Sequence, residues 1–210
     1  GDITKINYES IGSFDILLAG FPCQPFSMAG LKKGFNDDRG NHFFNIVDIL
    51  KMYKPDIIFL ENVKGLQNKY NKDTLDTILL FLKEVGYHVH FKVLAAKDYD
   101  LPQLRERLYF VGFRDKLQWQ NFRFPYPVER SRKLGDILEK NPDSKYTISD
   151  RLWEGHKKRK VANKIKGTGF GFNLFDENAE YVNTISARYY KDGSEILIKQ
   201  KDKNPRMLTP

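Results

Sequence analysis

The chain has 210 residues, 40% hydrophobic, 14% aromatic and 30% charged, a composition that excludes a disordered chain. No apolar run approaches the roughly 20 residues of a membrane-spanning helix, and Gly1-Asp2-Ile3-Thr4 lacks the basic-then-apolar layout of an export signal. The net charge of +8 is uneven: residues 1–120 carry 16 basic and 15 acidic side chains, residues 121–210 carry 19 and 12. That contrast predicts a catalytic core joined to a segment that binds a polyanion.

Residues 14–21 form an apolar run that predicts a buried strand. Phe43, Ile46, Val47, Leu50 and Tyr53 fall at helical spacing. Residues 55–60 predict a second strand. Residues 74–85 predict a striped helix stopped by Gly86. Residues 88–94 and 107–113 predict two further strands. Strands separated by helices predict an α/β fold, with a mostly parallel sheet and helices on both faces. Ligand-binding groups in such sheets gather past the strand ends. Beyond Phe124-Pro125-Tyr126-Pro127, a turn signal, come basic clusters, glycines and short strand candidates at 184–187 and 195–199. This second region is expected to be smaller, irregular and β-rich.

Cys23 is the one cysteine, which excludes an intrachain disulfide and a multi-cysteine zinc site, and no metal site is expected. It fits a reducing compartment. It follows the first strand in Gly20-Phe21-Pro22-Cys23-Gln24-Pro25-Phe26-Ser27. The flanking prolines stiffen the backbone, so the thiol is a candidate nucleophile on an extended turn. Glu61, in Glu61-Asn62-Val63, sits one residue past the second strand. The sheet brings it to the edge where Cys23 stands, and a carboxyl group raised by burial donates a proton there. If residues 103–107 are extended, Gln103, Arg105 and Arg107 share one face, and two guanidinium groups suit an anion. Residues 28–41 hold three glycines with Lys32, Lys33 and Arg39, and predict a lid loop.

Pro22-Cys23-Gln24-Pro25-Phe26-Ser27, then Glu61-Asn62-Val63, then Gln103-x-Arg105-x-Arg107 resemble, in this order, the catalytic blocks of the 5-methylcytosine DNA methyltransferases. The resemblance runs from Gly1 to about residue 125 and resumes at Arg206-Met207-Leu208-Thr209-Pro210. It implies a partial Rossmann-like methyltransferase domain over 1–125, a target-recognition region over 126–205, and a return to the catalytic domain at 206–210. It implies a DNA (cytosine-5-)-methyltransferase that takes the methyl group from S-adenosyl-L-methionine. By resemblance, Cys23 adds to C6 of a flipped-out cytosine, Glu61 holds the N3 edge, Arg105 and Arg107 lie at the base, and Asn62 orients the Glu61 turn. Asp2, Ile3, Phe21 and Pro22 fall on cofactor-binding positions. Gln24, Ser27 and Arg39 fall near the DNA. Thr184-Ile185 is similar to a Thr-Leu pair that contacts the phosphate beside the flipped base. Arg188 and Tyr189-Tyr190 are candidates for reading base edges, and His156-Lys157-Lys158-Arg159-Lys160 for phosphate contacts.

The family's first cofactor block and its last are absent, so the chain reads as a fragment or half of a split enzyme that is inactive alone and binds the cofactor weakly. The implied partners are double-stranded DNA and a cognate restriction endonuclease, with a monomeric protein in a prokaryotic cytoplasm, at the nucleoid. Two alternatives stay open: a tRNA cytosine-5 methyltransferase, and a non-catalytic DNA-binding subunit.

Overall fold

A computed structural model describes residues 3–22, 42–129, 131–169 and 171–210. They fall into two compact units, one of residues 1–94 and 106–126, the other of residues 95–105 and 127–210.

The first unit is built on a four-stranded sheet in the order β1-β2-β4-β3, with β1 Ile16–Gly20, β2 Ile57–Val63, β3 His88–Ala95 and β4 Glu106–Phe113. β1 and β2 pair in parallel, Gly20 opposite Glu61. β2 and β4 pair antiparallel, Glu61 opposite Tyr109 and Val63 opposite Arg107. The mostly parallel expectation is corrected here. Alternating side chains report which face a strand buries, and not its direction. The two long helices, α1 His42–Tyr53 and α2 Lys72–Glu84, also share one face instead of covering both. Phe43, Ile46, Val47 and Leu50 of α1 and Leu75, Ile78 and Leu82 of α2 meet Ile58, Leu60, Leu108 and Phe110 in one core. α2 ends at Gly86, whose φ of +95° suits glycine, and the Tyr87 N–H closes the turn onto the Leu82 carbonyl at 3.0 Å. Tyr87 is buried, and its hydroxyl donates to the Pro55 carbonyl at 2.6 Å.

The opposite face is covered on one half only. A short helix, α3 Lys116–Asn121, sets Trp119 on His90, and Phe122 packs on Phe113. On β1 and β2 the same face leaves Ile16, Leu18, Phe59 and Val63 exposed, Leu18 at 72%.

The second unit holds a 17-residue helix, α4 Asp150–Lys166, and three strands in the order β5-β6-β7: Leu174–Phe175, Leu197–Gln200 and Lys203–Arg206. The β-rich expectation missed α4. Ser149 caps its start by accepting from the Leu152 N–H, and Gly167 ends it at φ +63°. Residues 184–187 are not a strand; β6 realises the 195–199 candidate in part. A four-residue helix, α5 Tyr189–Asp192, precedes β6. Tyr189 is core rather than a base reader. It is 9% exposed, donates to the Ile196 carbonyl at 2.7 Å and accepts from the Leu208 N–H at 2.8 Å.

Burial pushes the phenols of Tyr87 and Tyr189 up to about 12 from the usual 10.0. The unfolded chain ionises first, so this stabilisation is complete below pH 10 and is lost as pH rises through about 12. The thermal midpoint should fall across that window, and less steeply in the Tyr87→Phe, Tyr189→Phe double variant. Circular dichroism melts at stepped pH check it.

Candidate active site

The first unit brings together Phe21, Glu61, Asn62 and Arg107 at one end of β1, β2 and β4. Glu61 lies within β2 opposite Gly20, where an added Cβ would stand 3.4 Å from its Oε2. Arg107 Nε meets Glu61 Oε1 at 2.8 Å, with the two side chains 18% and 32% exposed. Arg107 also donates from NH1 to the Glu106 carbonyl at 2.8 Å, which turns the guanidinium back along its own strand. The Glu106 side chain points to a different partner, Lys64, at 2.7 Å. A second charge pair therefore joins the β4 entry to the chain just past β2.

Asn62 is 1% exposed and ties two segments. Its Nδ2 donates to the Phe21 carbonyl at 3.0 Å, and its Oδ1 accepts from the Val63 N–H at 2.8 Å. The Phe21 ring is 7% exposed and lies 5.3 Å from Phe43. The backbone entering Pro22-Cys23 is thus fixed by a buried ring on one side and a buried amide on the other.

Cys23, Gln24, Ser27, Arg39 and the lid loop expected at 28–41 lie outside the described residues, except that the loop's neighbour α1 begins at His42. Asp2 lies outside them too. Ile3 sits in a 3-10 turn, Ile3–Lys5, and is half-buried. Pro22 is exposed. Ile3 and Pro22 offer apolar surface suited to a flat ring. The Phe21 ring is spent in the core, and none of the three brings an ionic group for an amino-acid moiety.

Residues 103–107 are not extended throughout. The Gln103 N–H bonds the Leu101 carbonyl and the Arg105 N–H bonds the Gln103 carbonyl, at 2.6 and 2.9 Å, so tight turns precede β4. The strand starts at Glu106, and the period-two argument for a shared face reaches Arg107 alone. Gln103 and the exposed Arg105 belong to the second unit, with Thr184 and the exposed Arg188. Thr184 Oγ1 donates to the Leu104 carbonyl at 2.5 Å. The Arg188 N–H donates to Ser186 Oγ at 3.2 Å.

The basic run in α4 does not present one face. His156 is 1% exposed. Arg159 donates to its Nδ1 at 2.7 Å, so Nε2 carries the hydrogen and donates to the Asp192 carbonyl at 3.1 Å. Burial holds the His156 pKa below its usual 6.5. Arg159 also pairs with the Asp192 carboxylate at 3.1 Å, and Lys160 lies 4.3 Å from the centre of the Phe172 ring. Lys158, Lys164 and Lys166 remain exposed along the helix. Sequence reasoning passed over Asp192 and Lys64, and considered Glu106 only as an ion-pair partner for the neighbouring arginines. Asp192 carries no sequence signal. Lys64 and Glu106 each adjoin a block already singled out.

The profile of the C-5 cytosine-specific DNA methylases matches residues 1–210, the whole chain. The chain belongs to that family. It is 54% identical over 211 residues to the Type II methyltransferase M.DsaV of Dactylococcopsis salina, covering 100% of this chain and 60% of that protein. It is 54% identical to M.SsoII of Shigella sonnei, covering 56% of that protein, and 55% identical to M.NlaX of Neisseria lactamica, covering 66%. The chain therefore spans roughly 60% of the length of these relatives. Among solved structures, a mutant of Spodoptera frugiperda DNMT2 superposes with a TM-score of 0.71 at 24% identity, over 96% of this chain and 60% of that one. The Entamoeba histolytica methyltransferase EhMeth gives 0.69 at 18% identity, over 100% of this chain and 67% of that one. At those identities the likeness establishes the methyltransferase fold. Among the described residues no helix is long and apolar enough to cross a membrane.

Asn62→Ala removes both bonds and leaves the buried Phe21 carbonyl and the part-buried Val63 N–H without them. The expected loss is about 1–3 kcal/mol of stability. Urea unfolding of the variant beside the parent measures it.

Proposed function

We propose that the intact protein is a DNA (cytosine-5-)-methyltransferase of a restriction–modification system, acting on cytosine in a specific duplex sequence. The observation that carries this reading is the Glu61–Arg107 pair at 2.8 Å, in the same strand-end cluster as the Asn62 bond that holds the backbone before Cys23. C5 of cytosine is a weak nucleophile. Thiolate addition at C6 converts the base to an enamine whose C5 is strong enough to accept a methyl group. Cys23 supplies that thiolate. Glu61 hydrogen-bonds the N3 edge and delivers a proton there, which favours the enamine. Arg107 fixes the aim of the Glu61 carboxyl group and lies at the base near O2, with Arg105 toward the base or the backbone. S-adenosylmethionine, when bound, supplies the methyl group, with Ile3 and Pro22 against its adenine. Loss of the C5 proton and expulsion of the thiolate restore the aromatic base. C6 is hidden in a stacked duplex, so the base must leave the helix first. The second unit carries the positive charge that a phosphate backbone requires. The exposed lysines of α4 serve that contact, and the exposed Arg188 and Tyr190, at the start of α5, read base edges.

Two experiments test this. Mixed-sequence duplex DNA containing 5-fluorocytosine, incubated with the intact protein and the cofactor, should form a covalent adduct stable to denaturation. The adduct should vanish in Cys23→Ser, and Glu61→Gln should slow methylation of unmethylated genomic DNA at least about a hundred-fold. An adduct that persists in Cys23→Ser refutes the scheme. For the second unit, replacing Lys158, Lys164 and Lys166 by alanine should flatten the salt dependence of duplex binding by about 0.9 in log–log slope per lost phosphate contact. An unchanged slope removes α4 from the DNA-facing surface.

A further inference from the structure

Among the described residues, four charged side chains gather where β2 ends and β4 begins, all within the first unit: Glu61, Lys64, Glu106 and Arg107. They sort into two pairs. Arg107 Nε meets Glu61 Oε1 at 2.8 Å, and Lys64 Nζ donates to Glu106 Oε1 at 2.7 Å. Charge alone does not enforce that sorting. A guanidinium offers a carboxylate two parallel N–H donors, and an ammonium group is only a point charge. Each of the two acids therefore has reason to take Arg107.

Arg107 also stands beside both of them. Its NH1 donates to the Glu106 main-chain carbonyl at 2.8 Å, so the guanidinium rests next to the residue that bears the second carboxylate. Neighbouring strand residues point to opposite faces, but Glu106 opens β4, so no preceding strand residue confines its side chain. Lys64 is the group that engages it. Val63 pairs with Arg107 across the ladder, and Lys64 follows Val63 as Glu106 precedes Arg107. The ammonium thus stands across from the Glu106 carboxylate where the ladder stops. The Lys64 and Glu106 side chains are 54% and 33% exposed, and so open an ion pair adds little to stability. What it changes is which acid the arginine faces.

We propose that Lys64 is a positioning residue: it keeps the Glu106 carboxylate occupied, so that the Arg107 guanidinium stays on Glu61. Without the ammonium group, Glu106 competes for Arg107 and the Glu61 carboxyl group loses its aim. The inference deepens the methyltransferase reading and rests on it for the kinetic consequence. Its structural part rests on the ion-pair distances alone.

The test is a rescue. In the intact protein, Lys64→Met, which keeps the stem and loses the charge, should lower the single-turnover rate on unmethylated genomic DNA at saturating duplex about ten-fold, or roughly 1.4 kcal/mol in the barrier. Lys64→Arg should keep the parent rate. Glu106→Gln should keep it too and, added to Lys64→Met, should restore it, because the competing carboxylate is gone. A pair that merely ties the strands together predicts the opposite, a loss that persists in the double variant. Affinity for a mixed-sequence duplex, its salt slope and the thermal midpoint should be unchanged throughout. The Arg107 Nε–H resonance, identified by its absence in Arg107→Lys, should exchange with water faster in Lys64→Met and at the parent rate in the double variant. A double variant as slow as Lys64→Met, or Lys64→Met at the parent rate, overturns the proposal. A salt slope smaller by about 0.9 in Lys64→Met, with the full rate at saturating DNA, overturns it in favour of a phosphate contact. If Lys64→Met does not fold, Lys64→Gln gives the same contrast. A parent protein that methylates no DNA would sink the functional reading, and the exchange measurement would still decide whether Lys64 keeps Arg107 on Glu61.

Discussion

Asn62 is one of the few buried polar side chains among the described residues, and it spends its amide on backbone. An unbonded amide at that depth would cost several kcal/mol, so the two bonds it makes are obligatory for the fold as drawn. They fix the distance between the end of β1 and the end of β2. Everything chemical in the first unit is arranged around that distance: the chain to Cys23 leaves from the held carbonyl, Glu61 precedes the amide, and Arg107 stands opposite Val63. The Glu61–Arg107 pair depends on it in turn. Two partly exposed side chains make a modest ion pair by themselves, and their value here is in orientation rather than in stability. Lys64 with Glu106 holds the same two strand ends from the solvent side.

The second unit uses charge differently. A run of five basic or imidazole residues reads as one electrostatic face in a sequence. On the helix, spacing separates it: His156 is buried and turns to the Asp192 carbonyl, Lys160 lies over Phe172 while staying exposed, and Lys158 is exposed. Arg159 joins His156 to Asp192 and fixes the neutral tautomer. Part of the apparent binding surface is therefore tied up in contacts within the unit, and Lys158, with Lys164 and Lys166 further along, is exposed.

Much of the first unit was legible because its strands are apolar runs between turn signals and its helices carry a stripe. The four strands lie within three residues of their expected bounds, and Gly86 ends α2 as expected. The antiparallel course of β4 was harder to see. The available signal was the short stretch 96–105, which has no room for the crossover helix that parallel neighbours need. α4 escaped notice because its inward side is Leu152, Trp153 and His156 rather than a continuous apolar stripe; its caps, Ser149 and Gly167, were the better guide. Glu61, Asn62 and Arg107 were found from their blocks, but their mutual geometry depends on register, which no single segment encodes. The hydrogen-bond partner of Thr184 lies 80 positions away in the chain and could not be read locally.

The apolar row of Ile16, Leu18, Phe59 and Val63 has a practical consequence. β1 is the end strand of its sheet among the described residues, so an unpaired backbone edge adjoins uncovered hydrocarbon. That combination is a template for strand addition between molecules. A charged replacement at Leu18 would interrupt that apolar row.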